Sequence, residues 1–261
     1  MSVAVVIPCY NHAQTLRRAV DSVLRQRGVS QIIVVDDCSV DDSFEVAECL
    51  MGIGLNIQLI RNDVNSGPAA SRNHGVELVE ASHLTFLDAD DELAADFLGV
   101  ALDALADNPS LKAIKCEMGF FDPVKGHILP FHDPRYIPTV LSSACGVVLE
   151  AEVFRALGGF SLNPIFRGPA GGEDVAFMQA LLKCLGPLAK IDTEGYKVWS
   201  RSGSHVDQFL SSTRLLENGG FEFLNLTPDQ APGGRLAQAL EAHIAYAVDR
   251  FQRVYSLADQ A

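Results

Sequence analysis

Positive charge is scarce in this sequence. Its 261 residues include 33 acidic and 20 basic side chains, for a formal net charge of -13. An acidic surface repels phosphate backbones, which excludes a general nucleic-acid binder. It does not exclude a small anionic ligand whose charge is offset locally by a metal ion. The six cysteines, at 9, 38, 49, 116, 145 and 184, form no C-x-x-C pair and no Cys/His spacing of a zinc site. They are expected to be reduced thiols, with Cys116 and Cys145 buried in apolar stretches. The seven histidines include no H-E-x-x-H. No apolar run approaches the ~20 residues that cross a bilayer. No basic segment or cleavage site precedes the first apolar run, so no signal peptide is expected. These absences predict a cytoplasmic protein without a transmembrane segment, whose only membrane association would be peripheral, at the inner face. Internal repeats, low-complexity tracts and a clean interdomain linker are also missing.

The composition is otherwise that of a globular protein, 48% apolar and 20% charged. The first ninety residues alternate between two patterns. Residues 3–7, 32–35, 55–60 and 84–87 are short apolar runs suited to buried parallel strands. Between them, 11–27, 41–50 and 67–79 carry helical spacing. This β-α-β-α-β-α-β order predicts a mostly parallel sheet covered by helices on both faces. Ligands bind such sheets beyond the carboxyl ends of the strands. Three polar clusters stand there: Pro8-Cys9-Tyr10-Asn11, Asp36-Asp37-Cys38-Ser39 and Asp88-Ala89-Asp90-Asp91.

The second half is less regular. Helices are expected at 96–106, 152–157, 173–185 and 235–257, and strands at 112–121, 127–129, 146–149 and 196–199. A Gly/Pro-rich loop at 164–172 is expected to be mobile.

Each cluster alone admits two roles. Asp88 and Asp90 are two apart at a strand end, so their carboxylates point the same way and would repel without a cation between them. Mg²⁺ and Mn²⁺ prefer such oxygen ligands, but Asp88 could also cap the following turn. A carboxylate of the Asp36-Asp37 pair could accept from a ribose hydroxyl or cap the next helix. Arg72, a little over one turn into a helix that opens with Gly67-Pro68, could offer its fork of donors to a diphosphate or lie on the surface. Glu173 and Asp174 begin a helix, where the dipole favours carboxylates, or one of them could serve as a general base.

Taken together, the segments VVIPCYNHAQTL (5–16), IIVVDDCSVDDS (32–43), NSGPAASRNHG (65–75), FLDADDEL (86–93), FRALGGF (154–160) and GGEDVAFM (171–178) resemble the inverting glycosyltransferase family 2 of the GT-A fold. The resemblance spans most of residues 3–180 and weakens after about 200. It implies one GT-A domain over 1–200, with a nucleotide-binding half (1–95) and an acceptor half (96–200). Residues 201–261 would form a C-terminal helical extension packed on the same domain.

Roles follow position by position. Pro8, Tyr10, Asn11 and Asp37 would hold the nucleobase and ribose, with Arg72 beside the base or diphosphate. Asp88 would contact the ribose or the metal shell, and Asp90 would bind Mn²⁺ or Mg²⁺. Asp174 would be the catalytic base, with Glu173 facing the acceptor, and Gly158, Gly159 and Phe160 would shape the acceptor side. The implied reaction moves a sugar, with inversion, from a nucleotide-diphosphate sugar (UDP by default) to a hydroxyl of a carbohydrate or lipid-linked acceptor. This would belong to polysaccharide or glycoconjugate synthesis.

Three positions depart from the family pattern. Cys9 replaces a small residue such as Thr, and Cys38 replaces a common Gly. Arg201, ahead of Ser202-Gly203-Ser204, occupies the place of a histidine, with His205 out of register. Arg201 is therefore a candidate for neutralising the diphosphate directly. Two other classes fit the sequence less well. A Rossmann-type dehydrogenase requires a Gly-rich turn after the first strand, where Pro8-Cys9-Tyr10-Asn11 stands instead. A catalytically inactive nucleotide-sugar binding protein would not need Asp88, Asp90 and Asp174 intact.

Overall fold

The structure is a computed structural model that describes residues 1–53, 56–167 and 171–258. Strand β1 (Val3–Cys9) is buried along its whole length, as an unbroken apolar run must be when helices cover both faces of a sheet. Helix α1 (Leu16–Leu24) turns Leu16, Ala19, Val20 and Val23 inward. It starts five residues later than its periodicity suggests. Asn11 and His12 are held outside it, their amides donating to Ser39 Oγ and Ser43 Oγ.

Next come β2 (Val29–Asp36), α2 (Ser43–Leu50), a 3-10 turn at Met51–Ile53, β3 (Ile57–Arg61), α3 (Pro68–Glu77) and β4 (His83–Phe86). Here β1 pairs in parallel with β2 and β4, and β2 with β3. Pro8 is tolerated inside β1 for a positional reason. Val6 accepts from Leu87 on the β4 side, so Pro8, two residues on, faces that side after the pairing with β4 has ended.

The chain continues through β5 (Glu92–Leu93), α4 (Phe97–Asp107), β6 (Ala113–Asp122), β7 (Gly126–His127), α5 (Tyr136–Ser142), β8 (Val147–Glu150), α6 (Ala151–Leu157), a 3-10 turn at Pro164–Arg167, α7 (Glu173–Leu185) and β9 (Ala189–Trp199). The sheet order is β3-β2-β1-β4-β8-β6-β9-β5, with β7 on β6. Strand β8 runs antiparallel to both β4 and β6, and β9 is parallel to β6. The carboxyl ends of β1, β2, β4, β6 and β9 therefore open on one edge.

The architecture is the expected mostly parallel α/β sheet, with differences in detail. Strand β9 begins at Ala189, seven residues before its apolar stretch, because the mostly polar residues 190–195 are recruited by pairing with β6. Helix α5 carries Pro138 in its first turn and no clear period. Residues 164–167 form a compact turn with Phe166 buried, so this part of the expected mobile loop is packed. Its residues 168–170 lie outside the described residues.

Beyond β9 lie α8 (His205–Ser211), a hairpin of β10 (Thr213–Leu215) and β11 (Phe221–Phe223), and α9 (Arg235–Ala258). The extension is thus not wholly helical. Helix α9 packs on α6 and α7, burying Ala247 and placing Arg250 Nε 3.3 Å from the Arg155 carbonyl. Among the described residues no helix is long and apolar enough to cross a membrane.

Candidate active site

The ends of β1 and β2 are stitched together by polar side chains. Asn11 and Cys38 both take left-handed backbone conformations, with φ of 57° and 63°. Glycine is at home in such a conformation, which explains what the chain accommodates at Cys38. Asn11 Oδ1 accepts from the Val40 amide at 2.9 Å. Asp36 is buried against Arg61 at 3.1 Å. Asp37 is also buried. Its carboxylate accepts from Asn62 Nδ2 (2.7 Å) and from the amides of Ser66 (2.9 Å) and Gly67 (2.7 Å). Asp37 therefore shapes the loop that opens α3, and its oxygens face protein. Of the four residues expected to hold the base and ribose, Tyr10 and Asn11 are exposed at the mouth, while Pro8 and Asp37 lie beneath them.

Arg72, expected beside the base or diphosphate, lies beneath the cleft as the hub of the site. Its side chain is 4% exposed, with Nη2 2.7 Å from Asp88 Oδ1 and Nη1 2.9 Å from Asp174 Oδ1. Glu173 Oε1 stands 4.0 Å away. Burial works against this guanidinium. The opposing charges of Asp174 and Asp88 outweigh it and hold its pKa well above the ordinary value. The Phe160 ring lies 5.3 Å from the guanidinium carbon. Phe160 is located by Asn73, whose side-chain amide exchanges two 2.9 Å hydrogen bonds with the Phe160 backbone. A Cβ on Gly159 would come within 2.6 Å of that amide oxygen, so the motif around Phe160 requires glycine there.

Asp174 is held on its second oxygen by the Ala144 amide at 3.3 Å. Its neighbour Glu173 is more shielded. Burial and then the charge of Asp174 push the Glu173 carboxyl up, against the pull of Arg72. Both enter α7 after Gly172, whose φ of 123° is closed to L side chains.

Sequence reasoning missed Asp91. It is buried, accepting from the Trp199 amide at 2.8 Å and the Tyr196 hydroxyl at 3.0 Å, and Tyr196 Oη in turn accepts from the Asp88 amide at 3.0 Å. Burial, then the charges of Asp88 and Asp90, push its carboxyl well up. Asp91 clamps the end of β9 to the turn after β4. Two residues past Trp199, Arg201 reaches 3.4 Å from Asp90 Oδ2. The only signal for Asp91 in the sequence was a third aspartate beside Asp88 and Asp90.

Asp88 and Asp90 keep side-chain exposures of 37% and 23%. Among the described residues no three His, Cys, Asp or Glu groups gather as a protein cage for a metal. Mg²⁺ and Mn²⁺ take few ligands from a protein when phosphate oxygens complete their shell, so these two aspartates remain the candidates for such an ion.

Comparison with known proteins gives a family and a fold. Residues 4–132 match the family model described as Glycosyl transferase family 2. Over 225 residues, 83% of this chain, the sequence is 36% identical to the succinoglycan biosynthesis protein ExoU of Rhizobium meliloti, covering 57% of that protein. It is 38% identical over 104 residues to the putative colanic acid biosynthesis glycosyl transferase WcaA of Escherichia coli, covering 38% of this chain and 36% of that one. The chain thus spans little more than half of ExoU and less of WcaA. Among solved structures, S. aureus TarS 1-349 in complex with UDP-GlcNAc superimposes with a TM-score of 0.68 at 18% identity, over 95% of this chain and 66% of that one. At that identity the likeness establishes the fold, the GT-A arrangement.

Proposed function

Because the chain belongs, through residues 4–132, to glycosyl transferase family 2, we propose that it transfers a sugar from a nucleotide-diphosphate donor to an acceptor hydroxyl, with inversion, in polysaccharide or glycoconjugate synthesis. One observation carries the proposal: Arg72 joins Asp88 on the donor side to Asp174 on the acceptor side through contacts of 2.7 and 2.9 Å. Donor anchor and proton acceptor therefore share one cleft and one rigid connection, which an in-line displacement requires.

The steps follow from the side chains. Tyr10 and Asn11 at the mouth, over the loop shaped by Asp37, take the nucleoside. Asp174 accepts the proton of the attacking hydroxyl. The carbon–oxygen bond to the diphosphate breaks as the new glycosidic bond forms on the opposite face. Arg201, 59% exposed and 3.4 Å from Asp90, would meet the charge developing on the diphosphate. Mn²⁺ or Mg²⁺ held by Asp90 and Asp88 would supply further positive charge there. UDP is the favoured nucleotide, since the structural relative binds UDP-GlcNAc. Polysaccharide synthesis is the role named for ExoU and WcaA, and the acceptor would be a carbohydrate or a lipid-linked carbohydrate. With a lipid-linked acceptor the protein would work at the inner membrane face.

A second assignment of the proton acceptor rests on a specific observation. The carboxyl of Glu173 is pushed up by burial, which suits a general base better than a carboxylate locked to an arginine does.

The test is release of nucleoside diphosphate from a panel of UDP-, GDP- and dTDP-sugars, with and without Mn²⁺. Turnover of one donor, stimulated by metal, is the expected result. Tight donor binding with no turnover under any condition would instead identify a catalytically inactive nucleotide-sugar binding protein.

A further inference from the structure

Lys115 lies in β6, 3% exposed. Its ammonium donates to the carbonyls of Ser143 at 2.8 Å and Cys145 at 2.6 Å, with Met118 Sδ at 3.8 Å. Among the described residues no carboxylate pairs with it within 4 Å. Burial pulls its pKa down to about 8, against the raising influence of Cys116, Cys145, Asp174 and Glu117. A buried cation without a carboxylate partner is costly, and an apolar side chain would pack there more cheaply. What the ammonium holds explains its presence. The two carbonyls flank Ala144, whose amide donates to Asp174 Oδ2 at 3.3 Å. Ala144 and Cys145 are themselves buried. Water therefore cannot take over the Cys145 carbonyl without opening the segment between α5 and β8.

We propose that Lys115 is a positioning residue for the proton acceptor: its ammonium clamps the carbonyls on either side of Ala144 and so fixes the amide that, opposite Arg72, orients the Asp174 carboxylate. The proposal rests on the transferase reading, with Asp174 as the base. Lys115 touches neither donor nor acceptor. Its influence runs through one turn and one hydrogen bond, and the other oxygen of Asp174 is already fixed by Arg72.

Two variants separate positioning from packing. Lys115→Met removes the donors and keeps the length. Lys115→Gln removes the charge and retains an NH₂ group with two donors for the two carbonyls. On the full chain, with the donor found by the nucleotide-sugar panel, Lys115→Met should lower kcat roughly 10- to 100-fold, while donor KM and UDP affinity stay within about two-fold. Lys115→Gln should recover most of that loss. Loss of thermal stability in both variants with kcat per folded molecule unchanged overturns the proposal.

A readout independent of turnover is the stability cycle Lys115→Met, Asp174→Asn and the double variant. Coupling through Ala144 predicts that the double variant loses less than the sum of the singles, and additivity refutes the coupling. If the wild type turns over no donor, the transferase reading fails by itself, and the cycle still decides whether Lys115 holds Asp174.

Discussion

The two sides of the cleft are held by different forces. On the donor side, the ends of β1 and β2 are fixed by neutral or single-carboxylate hydrogen bonds, most of them to backbone amides. Asn11, Ser39, Ser43 and Asp37 all work this way, and Asp36 adds one ion pair, to the partly exposed Arg61. On the acceptor side, the start of α7 is held by buried charge: Arg72 between Asp88 and Asp174, Glu173 beside them, and the ammonium of Lys115 behind the Ala144 turn. Amide contacts set shape and tolerate the loss of one partner at modest cost. A buried charge network fails more abruptly, because each remaining charge is left uncompensated. Substitutions on the acceptor side should therefore strike turnover, and those on the donor side stability and nucleotide affinity.

The largest expected effect tests the acceptor side directly. Asp174→Asn keeps size and much of the hydrogen bonding but removes the proton acceptor. Turnover should fall roughly 10²- to 10⁴-fold with UDP binding nearly unchanged, measured as kcat alongside calorimetric affinity. A normal kcat would transfer the role to Glu173, for which Glu173→Gln is the matching variant.

The boundary between the two sides comes next. Asp90→Ala should abolish the part of nucleotide stabilisation that depends on Mn²⁺. At ligand 100-fold above Kd, full stabilisation is worth about 2.7 kcal/mol. Thermal shifts with UDP, Mn²⁺ and EDTA measure it, and equal shifts in mutant and wild type would remove the metal from Asp90.

On the donor side, Asp37→Asn leaves one oxygen where two accept three bonds. It should cost about 1–3 kcal/mol in urea unfolding and weaken UDP binding through the loop at Ser66-Gly67, with kcat at saturating donor little changed. A kcat loss as large as that of Asp174→Asn would break the contrast between the two sides.

The smallest effect is a slope. The folded pKa of Lys115, about 8, lies below the ordinary 10.5 of an unfolded chain. Below pH 8 both states are protonated and the full burial penalty applies. Above it the folded state releases its proton while the unfolded state keeps it, so stability rises with pH up to about 10.5. Wild type should therefore gain on Lys115→Met between pH 8 and 9, by at most about 1.4 kcal/mol. A stability difference between the two that is flat with pH would show the ammonium is not desolvated as the geometry requires.

The sequence by itself determined the donor half. Buried parallel strands are continuous apolar runs and their helices keep a 3.6-residue period, so β1 to β4 and the clusters at their ends can be read from neighbouring residues. The element ends marked the polar clusters, and the resemblance of those segments to a known family supplied the candidate list, from Pro8 to Arg201. Only the tertiary structure decided what these residues do to one another. Arg72 meets Asp174 across 102 positions, Asp91 meets Trp199 across 108, and Ala144 meets Asp174 across 30. Polar residues of β9 became strand only because β6 lay beside them. A lysine in a strand gives no hint that its ammonium ends against two carbonyls. Such pairings depend on which elements the sheet order and the packing of α5 against α7 bring together. No local period encodes that, since their strength comes from excluding water, which only the assembled fold can do.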